Sequence, residues 1–384
     1  MATTPSLFAD DPPQQIRAPD GPVAMVAIEQ SLDKLLDYAI PRNLESSLRV
    51  GQRVMVPLGR NNRPARGYVV NVAQSSVHPT LKTIRSLDDR RVLLNPNMLE
   101  LARWMSRYYC APLGTVIDSI IPSAVKRMVG IGHVACVRAM QSPEQLQALL
   151  EKTKAPKRRA ILARLLQLEP EGSIELLRLA NESGATPATV RKLAKPGIIR
   201  IEQVSDPGSL AREPDPSVAA AEQDLVLNAD QQRAFDSLSP RVDVGTFSVT
   251  LLHGVTGSGK TEIYLQCIRR VIDAGRQAIV LVPEIALTPQ TTRRFTARFG
   301  RVAVLHSGLS ATQRHSFWQQ IAAGQADVVV GARSAVFAPT PNLGMIVVDE
   351  EHESSYKQDT APRYHARDVA IKRAQIENVP VLLG

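Results

Sequence analysis

The spacing of apolar residues changes twice along the chain and divides it into three regions. In the first, residues 23–125, short apolar segments alternate with Pro, Gly and Asn, as in VAMVAIE, QRVMVPLG and RGYVVNVA. Short apolar segments bounded by turn residues are typical of strands, so this region is predicted to form a small β-barrel or sandwich. The segment NPNMLELARWMSRYY, which closes the strand-rich part, has helical spacing.

The second region, residues 126–205, has the spacing of helices. Three helices and a short strand are predicted from KAPKRRAILARLLQL, IELLRLANESG and TPATVRKLAKPGIIRIEQV. Such a unit is typical of a winged helix, and a helical spacer is an equally good interpretation of the pattern. The last predicted helix carries basic residues that suit contacts with a DNA backbone, namely Arg191, Lys192 and Lys195.

Strands and helices alternate strictly in the third region, residues 223–384. Continuous apolar runs such as AIVLV and MIVVD indicate strands covered on both faces, which predicts a doubly wound α/β fold with a parallel sheet. Residues 206–222, DPGSLAREPDPSVAAAE, have the composition of a linker. Residues 1–22 hold several prolines and little apolar periodicity, and they are predicted to be a disordered tail.

Composition and charge indicate the number of domains, the type of binding partner and the cellular compartment. A chain of 384 residues with 44% hydrophobic residues is long enough for two or three domains. Its net charge of +9 favours an acidic partner, with nucleic acid ahead of a membrane surface or an acidic protein. The three cysteines are too scattered for a CxxC metal site or a disulfide framework, which is typical of a reduced, cytoplasmic protein. The N-terminus lacks the pattern of a signal peptide and no apolar run could cross a bilayer, so no membrane association is expected.

The segment LLHGVTGSGKT contains the complete pattern G-x-x-x-x-G-K-[ST] between a predicted strand and a predicted helix. Its glycines let backbone N–H groups turn toward phosphates at a helix N-terminus, Lys260 can bridge the β and γ phosphates, and Thr261 can ligate Mg²⁺. ATP and Mg²⁺ are therefore the predicted cofactors. The predicted phosphate-binding residues are Gly254, Val255, Thr256, Gly257, Ser258, Gly259, Lys260 and Thr261.

A second acidic motif, DEEH, follows the apolar run MIVV. The run predicts a buried strand that delivers Asp349 at its C-terminal end, where ligands of open α/β sheets bind. Asp349 is predicted to hold Mg²⁺ and Glu350 to orient and deprotonate the attacking water. A solvated acidic turn is the usual alternative for such a tetrapeptide, but its place after a P-loop favours the metal site.

An Asp-Glu-x-His box paired with this P-loop resembles superfamily 2 helicases. The segments LVPEIALTPQTTRRF, VLHSGLS, GARSAVFAP and VVDEEHESSYKQDTAPRYHARDVA narrow the resemblance to the PriA family of replication-restart helicases, from about residue 23 onward. The resemblance implies a multidomain chain with a 3′-DNA-end-binding domain, a winged-helix domain and a RecA-like helicase lobe. It also implies an ATP-dependent 3′-to-5′ DNA helicase that recognises stalled forks and initiates primosome assembly.

The resemblance implies roles for further residues of the helicase region. Gln231 in LNADQ would read the adenine base, Arg333 in GARSAVF would contact DNA, and His352 would sense DNA and relay this to Glu350. A loop that couples DNA engagement to ATP hydrolysis would contain Tyr356, Lys357, Arg363, Tyr364 and His365. Aromatic faces stack on unpaired bases and cationic side chains follow phosphates, although two tyrosines in a charged loop can also serve simple packing.

In the N-terminal region the resemblance implies a pocket for a DNA 3′ end, formed by Asp37, Tyr38, Gly59 and Lys82. Tyr38 could stack on a terminal base, Asp37 could accept from the free 3′-hydroxyl, and Lys82 could pair with a phosphate. Leu36 stands where the family commonly carries an aromatic residue, so a differently shaped pocket is expected. An ordinary β-hairpin is the alternative interpretation of these residues.

Members of the family continue beyond VPVLLG into a cysteine-rich zinc module, a second helicase lobe and a C-terminal domain. The second lobe contributes an arginine of a kind worth about 10³ to 10⁵ in rate, so this chain is expected to be an N-terminal fragment that hydrolyses ATP weakly. The partners implied are forked and single-stranded DNA, the leading-strand 3′ end, primosome proteins and single-stranded DNA-binding protein. Two other functions stay open, namely a fork-binding platform without helicase activity and a superfamily 2 ATPase acting on RNA.

Overall fold

The computed structural model describes residues 16–17, 21–30, 32–127, 132–153, 155–167, 173–194, 197–206, 224–255 and 257–384. The chain forms two compact units, one of residues 1–127 with 214–384 and the other of residues 128–213. Most of the predicted tail and nearly all of the predicted linker lie outside the described residues. None of the helices in the described ranges combines the length and the apolar content that a bilayer crossing requires.

The N-terminal region forms a seven-stranded sheet, which confirms that it is rich in strands. The strand order is β1-β6-β3-β2-β5-β4-β7, and β2 pairs antiparallel with both β3 and β5. Inward-facing residues such as Val26, Val54 and Val69 are fully buried in its core. The strands are β1 (Ile16–Arg17), β2 (Val23–Ile28), β3 (Leu35–Ala39), β4 (Arg53–Leu58), β5 (Arg63–Ala73), β6 (Thr80–Thr83) and β7 (Ser86–Leu87), with the short helix α1 (Arg42–Glu45) after β3.

Three helices, α2 (Pro96–Tyr108), α3 (Leu113–Ile120) and α4 (Ser123–Lys126), follow this sheet. The side chain of Asn95 caps α2 by accepting from the Met98 N–H at 2.8 Å, and Pro96 occupies the first helical position, where it needs no N–H partner. The apolar face of α2 packs against a helix near the C-terminus, α13 (Ala366–Glu377). This contact joins the N-terminal region to the α/β region in one unit.

Where it is described, the unit of residues 128–213 holds a three-stranded antiparallel sheet of order β10-β8-β9 and four helices. Its core is formed by residues including Val137, Ile161, Leu165 and Val190. The prediction of three helices and one strand was wrong in missing β8, α5 and β9. The two strands exist through pairing of β8 with the distant β10 and β9, which leaves no local signal. The elements are β8 (Gly132–Ala139), α5 (Pro143–Lys152), α6 (Pro156–Leu166), β9 (Ser173–Glu175), α7 (Leu176–Glu182), α8 (Pro187–Arg191) and β10 (Ile199–Asp206).

The α/β region contains a six-stranded, all-parallel sheet of order β11-β16-β15-β12-β14-β13, as the alternating pattern predicted. All six residues of β15 are buried because helices cover both faces of the sheet. The carboxyl ends of β11 and β15 lie at the same edge with β16 between them, which brings the P-loop near Asp349. The elements are α9 (Ala229–Val244), β11 (Ser248–Leu251), α10 (Lys260–Asp273), β12 (Gln277–Leu281), α11 (Pro289–Phe299), β13 (Val302–Leu305), α12 (Ala311–Ala322), β14 (Val328–Gly331), β15 (Leu343–Val348), α13 and β16 (Pro380–Leu383).

Candidate nucleotide site and DNA interface

The P-loop runs from the end of β11 into α10. Gly257 and Gly259 have φ of 81° and 87°, a left-handed conformation that glycine adopts without strain, and Gly259 is the N-terminal cap of α10. The Lys260 ammonium donates to the Gly254 carbonyl at 2.7 Å, which holds this cation across the loop. Thr256, also predicted to bind phosphate, lies outside the described residues.

Gln231 packs against this loop from the first turn of α9. Its Oε1 accepts from the Asn228 N–H at 2.9 Å, and its Nε2 donates to the Ser258 carbonyl at 2.9 Å. A Cβ added to Gly259 would displace the Gln231 amide, and the φ of 87° would also strain a larger residue at that position. Gln231 therefore joins the start of α9 to the P-loop.

The acidic motif faces the P-loop across a cavity of about 890 Å³. Lys260, Thr261, Asp349 and Glu350 all line this cavity. Burial and the neighbouring Glu350 charge raise the pKa of Asp349, while the Tyr264 hydroxyl and Lys260 oppose that increase. A buried carboxylate with excess negative charge around it is suited to a cation.

The donor set of the cavity fits Mg²⁺. The described part of the chain has no cluster of three or more His, Cys, Asp or Glu side chains that could hold a metal. Mg²⁺ is commonly held by one or two carboxylates together with substrate phosphates, which needs no such cluster. Thr261 and Asp349 are two of the oxygen donors that line the cavity, and both suit this arrangement.

Glu350 has an unusual backbone conformation. Its φ of 47° lies in the left-handed region, which is strained for a residue with a side chain and is often found at functional sites. The Glu350 carbonyl accepts from the Glu353 N–H at 2.9 Å, which helps to hold the turn. His352 Nε2 lies 3.9 Å from Glu350 Oε2, so the two side chains of the predicted relay are neighbours.

Two tyrosines of the loop after the acidic motif are in the core. Tyr356 is 1% and Tyr364 is 2% exposed, and burial raises the pKa of both hydroxyls. The Tyr356 hydroxyl donates to the Asp349 carbonyl at 2.7 Å, and the Tyr364 ring meets the Phe337 ring edge-on. The prediction that these rings stack on DNA bases does not fit this structure, because neither ring has a free face.

Lys357 and Arg363 of the same loop are exposed, and the half-buried Arg333 lies beside them. Arg333 Nη1 donates to the Lys357 carbonyl at 2.5 Å, and Lys357 Nζ donates to the Arg363 carbonyl at 2.7 Å. Arg333 and Lys357 line a second cavity, of about 980 Å³, together with His306 and Arg314. The carboxylates of Glu284 and Asp359 line the same cavity, and the cations among its lining residues suit contacts with a phosphate backbone.

His365 joins this loop to the N-terminal region through a residue that sequence reasoning missed. The His365 N–H donates to the Tyr109 hydroxyl at 3.2 Å, and the Lys357 ammonium lies 5.7 Å from the centroid of the Tyr109 ring. His365 also caps α13, with Nδ1 accepting from the Arg367 N–H at 3.3 Å. Burial lowers the pKa of His365. The only sequence signal for Tyr109 was its place in the aromatic pair at the end of α2.

The structure brings together two of the four residues predicted for the 3′-end pocket, Lys82 and Gly59. Lys82 Nζ donates to the Gly59 carbonyl at 2.5 Å. Lys82 pairs in register with Tyr38 of the neighbouring strand, so it lies on the same face of the sheet as Tyr38 and on the opposite face to Asp37. Asp37 Oδ2 accepts from the Ser76 hydroxyl at 2.5 Å.

Tyr38 is not available for stacking on a base. It is 2% exposed, its hydroxyl donates to the Pro57 carbonyl at 3.1 Å, and burial raises the pKa of Tyr38 to about 12. Successive side chains of a strand point to opposite faces, so Tyr38 enters the core while Asp37 faces away from it. Leu36, the departure from the family pattern, packs half-buried against the same core as Tyr38.

Comparison with known proteins agrees with this architecture. Residues 25–122 match the family model of the PriA 3′ DNA-binding domain, and residues 228–378 match the DEAD/DEAH box helicase family. The chain is 35% identical to the replication restart protein PriA of Bacillus subtilis, over 92% of this chain and 51% of that protein. It is 39% identical to that of Haemophilus influenzae and 37% identical to that of Chlamydia trachomatis, in each case over 94% of this chain and 48% of the relative. The chain thus spans about half the length of the curated relatives it matches.

Proposed function

We propose that this chain, which belongs to the PriA family of replication restart proteins, is part of a 3′-to-5′ DNA helicase that starts primosome assembly at stalled forks. The chain supplies the fork-binding and ATP-binding parts of that helicase. The observation that carries this proposal is the shared cavity of Lys260, Thr261, Asp349 and Glu350. These residues bring a phosphate-binding cation, two metal-binding oxygens and a catalytic carboxylate to one place.

Each residue of the cavity has a separate task in ATP hydrolysis. Lys260 neutralises the β and γ phosphates, and Thr261 and Asp349 hold Mg²⁺. The bound ion would draw charge from the phosphate oxygens during transfer. Glu350 orients the attacking water and accepts its proton, and His352, 3.9 Å away, is placed to adjust the position of that carboxylate.

The loop after the acidic motif connects DNA binding to this cavity. DNA phosphates bind at Arg333, Lys357 and Arg363, while Tyr356 ties the same loop to the backbone of Asp349. If DNA binding moves the loop, the hydrogen bond from the Tyr356 hydroxyl to the Asp349 carbonyl would shift the position of Asp349. Tyr364 and His365 hold the other side of this loop against the protein core and Tyr109.

The N-terminal sheet binds the leading-strand 3′ end. Asp37 accepts from the terminal 3′-hydroxyl, and Lys82, next to Gly59, pairs with a phosphate. The unit of residues 128–213 is a winged helix whose exposed Arg191 and Lys192 contact the DNA backbone. Lys195, assigned to the same contact, lies outside the described residues.

The whole protein includes a further part that closes the nucleotide cavity. The chain spans about half the length of its relatives. The family resemblance implies a second helicase lobe that supplies a catalytic arginine, a zinc module and contacts with primosome proteins and single-stranded DNA-binding protein. The protein acts on DNA in the cytoplasm. This chain alone therefore binds ATP but hydrolyses it weakly.

The test is ATP hydrolysis with forked DNA that carries a leading-strand 3′ end, measured on this chain and on a chain extended to the length of its relatives. DNA should stimulate the extended chain strongly, and Lys260→Ala should abolish that stimulation. If the extended chain shows no DNA-stimulated hydrolysis, the motor proposal fails. Fork binding without hydrolysis would instead support the alternative of a DNA-binding platform.

A further inference from the structure

One buried hydroxyl beside the nucleotide cavity is not used by the P-loop or by the acidic motif. Tyr264 lies on α10, four residues after Lys260, and only 1% of it is exposed. Among the described residues, no group forms an aligned hydrogen bond with the Tyr264 hydroxyl. A buried polar group without a partner lowers stability, and phenylalanine would fill the same space without that cost. The hydroxyl is therefore expected to serve the site rather than the core.

The Tyr264 hydroxyl lies where the last strand meets the acidic motif. A Cβ added to Gly384 would come 1.4 Å from the Tyr264 Oη, so the hydroxyl lies directly against the backbone of Gly384. The Gly384 N–H donates to the Val348 carbonyl at 2.9 Å, and the Gly384 carbonyl accepts from the Glu351 N–H at 2.8 Å. Gly384 is thus bonded to residues on both sides of Asp349, which places the hydroxyl at the base of the acidic motif.

The side chain that the Tyr264 hydroxyl influences is that of Asp349. Burial and the Glu350 charge raise the pKa of Asp349, and the Tyr264 hydroxyl opposes that increase. Burial and then the Asp349 charge raise the pKa of Tyr264 in return. Asp349 lines the cavity whereas Tyr264 does not, so the hydroxyl reaches the carboxyl from within the protein.

The main chain of Asp349 is held by two other groups. The Tyr356 hydroxyl donates to the Asp349 carbonyl at 2.7 Å, and the Asp349 N–H donates to the Leu281 carbonyl at 2.9 Å. These two bonds fix the backbone and do not set the torsion of the side chain. A tyrosine hydroxyl is a hydrogen-bond donor and a carboxylate is an acceptor, so Tyr264 is suited to fix the torsion as well.

We propose that Tyr264 is a positioning residue whose hydroxyl donates to the Asp349 carboxylate and holds it in the orientation that binds Mg²⁺. This inference rests on the proposed binding of ATP and Mg²⁺ in the cavity. The two groups are neighbours that are not aligned in the structure, so the bond forms as the carboxylate turns to its ligand orientation. Groups that orient a metal ligand in this way typically contribute about 10- to 100-fold to metal affinity.

The experiment measures ATP binding to the full 384-residue chain by isothermal calorimetry, once with Mg²⁺ and once with EDTA. Tyr264→Phe keeps the ring and removes only the hydroxyl. It should weaken MgATP about tenfold and leave metal-free ATP within about twofold of wild type. The matched control is Tyr68→Phe, which should change neither affinity. Tyr68 is also fully buried with an unpaired hydroxyl, and it lies on β5 of the N-terminal sheet.

A double variant tests whether Tyr264 acts through Asp349. Asp349→Ala should by itself weaken MgATP at least as much as Tyr264→Phe does. Adding Tyr264→Phe to Asp349→Ala should cause no further loss, because the hydroxyl then has no carboxylate to orient.

Three results would overturn the assignment. Equal weakening of MgATP and metal-free ATP by Tyr264→Phe would place the effect on the P-loop helix instead of on the metal ligand. Unchanged MgATP affinity would show that the hydroxyl has no role in the site, and additive losses in the double variant would show that it does not act through Asp349. If the wild-type chain fails to bind MgATP in a Lys260-dependent way, the proposed function fails instead, so the two failures are distinguishable.

Discussion

The backbone N–H of His365 donates to the hydroxyl of Tyr109 at 3.2 Å, and this bond links the loop after the acidic motif to the end of helix α2. The Lys357 ammonium lies over the same Tyr109 ring. One tyrosine of the N-terminal region therefore contacts two residues of the proposed DNA-coupling loop. If the loop rearranges when DNA binds, the contact with Tyr109 must either break or move together with the loop.

Replacing Tyr109 by Phe should lower the free energy of unfolding by about 1 kcal/mol, since it removes one partly buried hydrogen bond and keeps the ring. The measurement is urea denaturation followed by circular dichroism. Tyr108→Phe is the matched control, because Tyr108 is 59% exposed and should show no change. Equal stability of both variants would mean that the Tyr109 hydroxyl does not stabilise this junction.

The capping role of His365 predicts a pH dependence of stability. Burial lowers the pKa of His365 below its ordinary value, and Asp368 and Glu351 oppose this while Arg367 and Lys357 reinforce it. The neutral ring is thus favoured in the folded state. Its contribution to the free energy of unfolding is present above pH 6.5 and is lost as the pH falls through the lowered pKa.

Asn can cap the helix without titrating, so His365→Asn should flatten the part of the stability profile that falls below pH 6.5. The free energy of unfolding of wild type and variant is measured by urea denaturation across this pH range. A variant profile that falls as steeply as that of the wild type would assign the pH dependence to other groups.

Glu350→Gln should separate nucleotide binding from hydrolysis. The amide keeps the size of the side chain but cannot accept the proton of the attacking water, so hydrolysis by the extended chain should fall about 10²- to 10⁴-fold. Binding of ATP to the variant, measured by calorimetry, should stay within about twofold of wild type. An unchanged hydrolysis rate would remove Glu350 from the catalytic step.

The 3′-end site is tested by comparing DNA with a free 3′-hydroxyl and DNA with a 3′-phosphate. Asp37→Ala should weaken only the free end, by about five- to thirtyfold, because one hydrogen bond to a charged acceptor is lost. Asp33→Ala, which removes an exposed carboxylate from the preceding turn, serves as the control. Equal weakening on both ends would contradict a contact with the hydroxyl.

The positions of the P-loop and of the acidic motif in the fold could be predicted because their parts are local. The glycines of the P-loop and the lysine at the start of α10 depend on backbone geometry within a few residues, and Asp349 follows directly from a buried strand. Strand β8 could not be predicted in the same way, since it exists through pairing with β10 from Ile199 to Asp206. The roles of Tyr356 and Tyr364 were misjudged because composition cannot distinguish a surface aromatic from a buried one.

The sequence by itself determined which residues can hold phosphate and Mg²⁺, because those abilities follow from chemical groups and short-range backbone conformation. Only the tertiary structure decided which side chains are free to act. Packing of α2 on α13 sets Tyr109 against His365, and the fold buries the rings of Tyr38, Tyr356 and Tyr364. These outcomes depend on contacts between segments far apart in the chain, which no local pattern records.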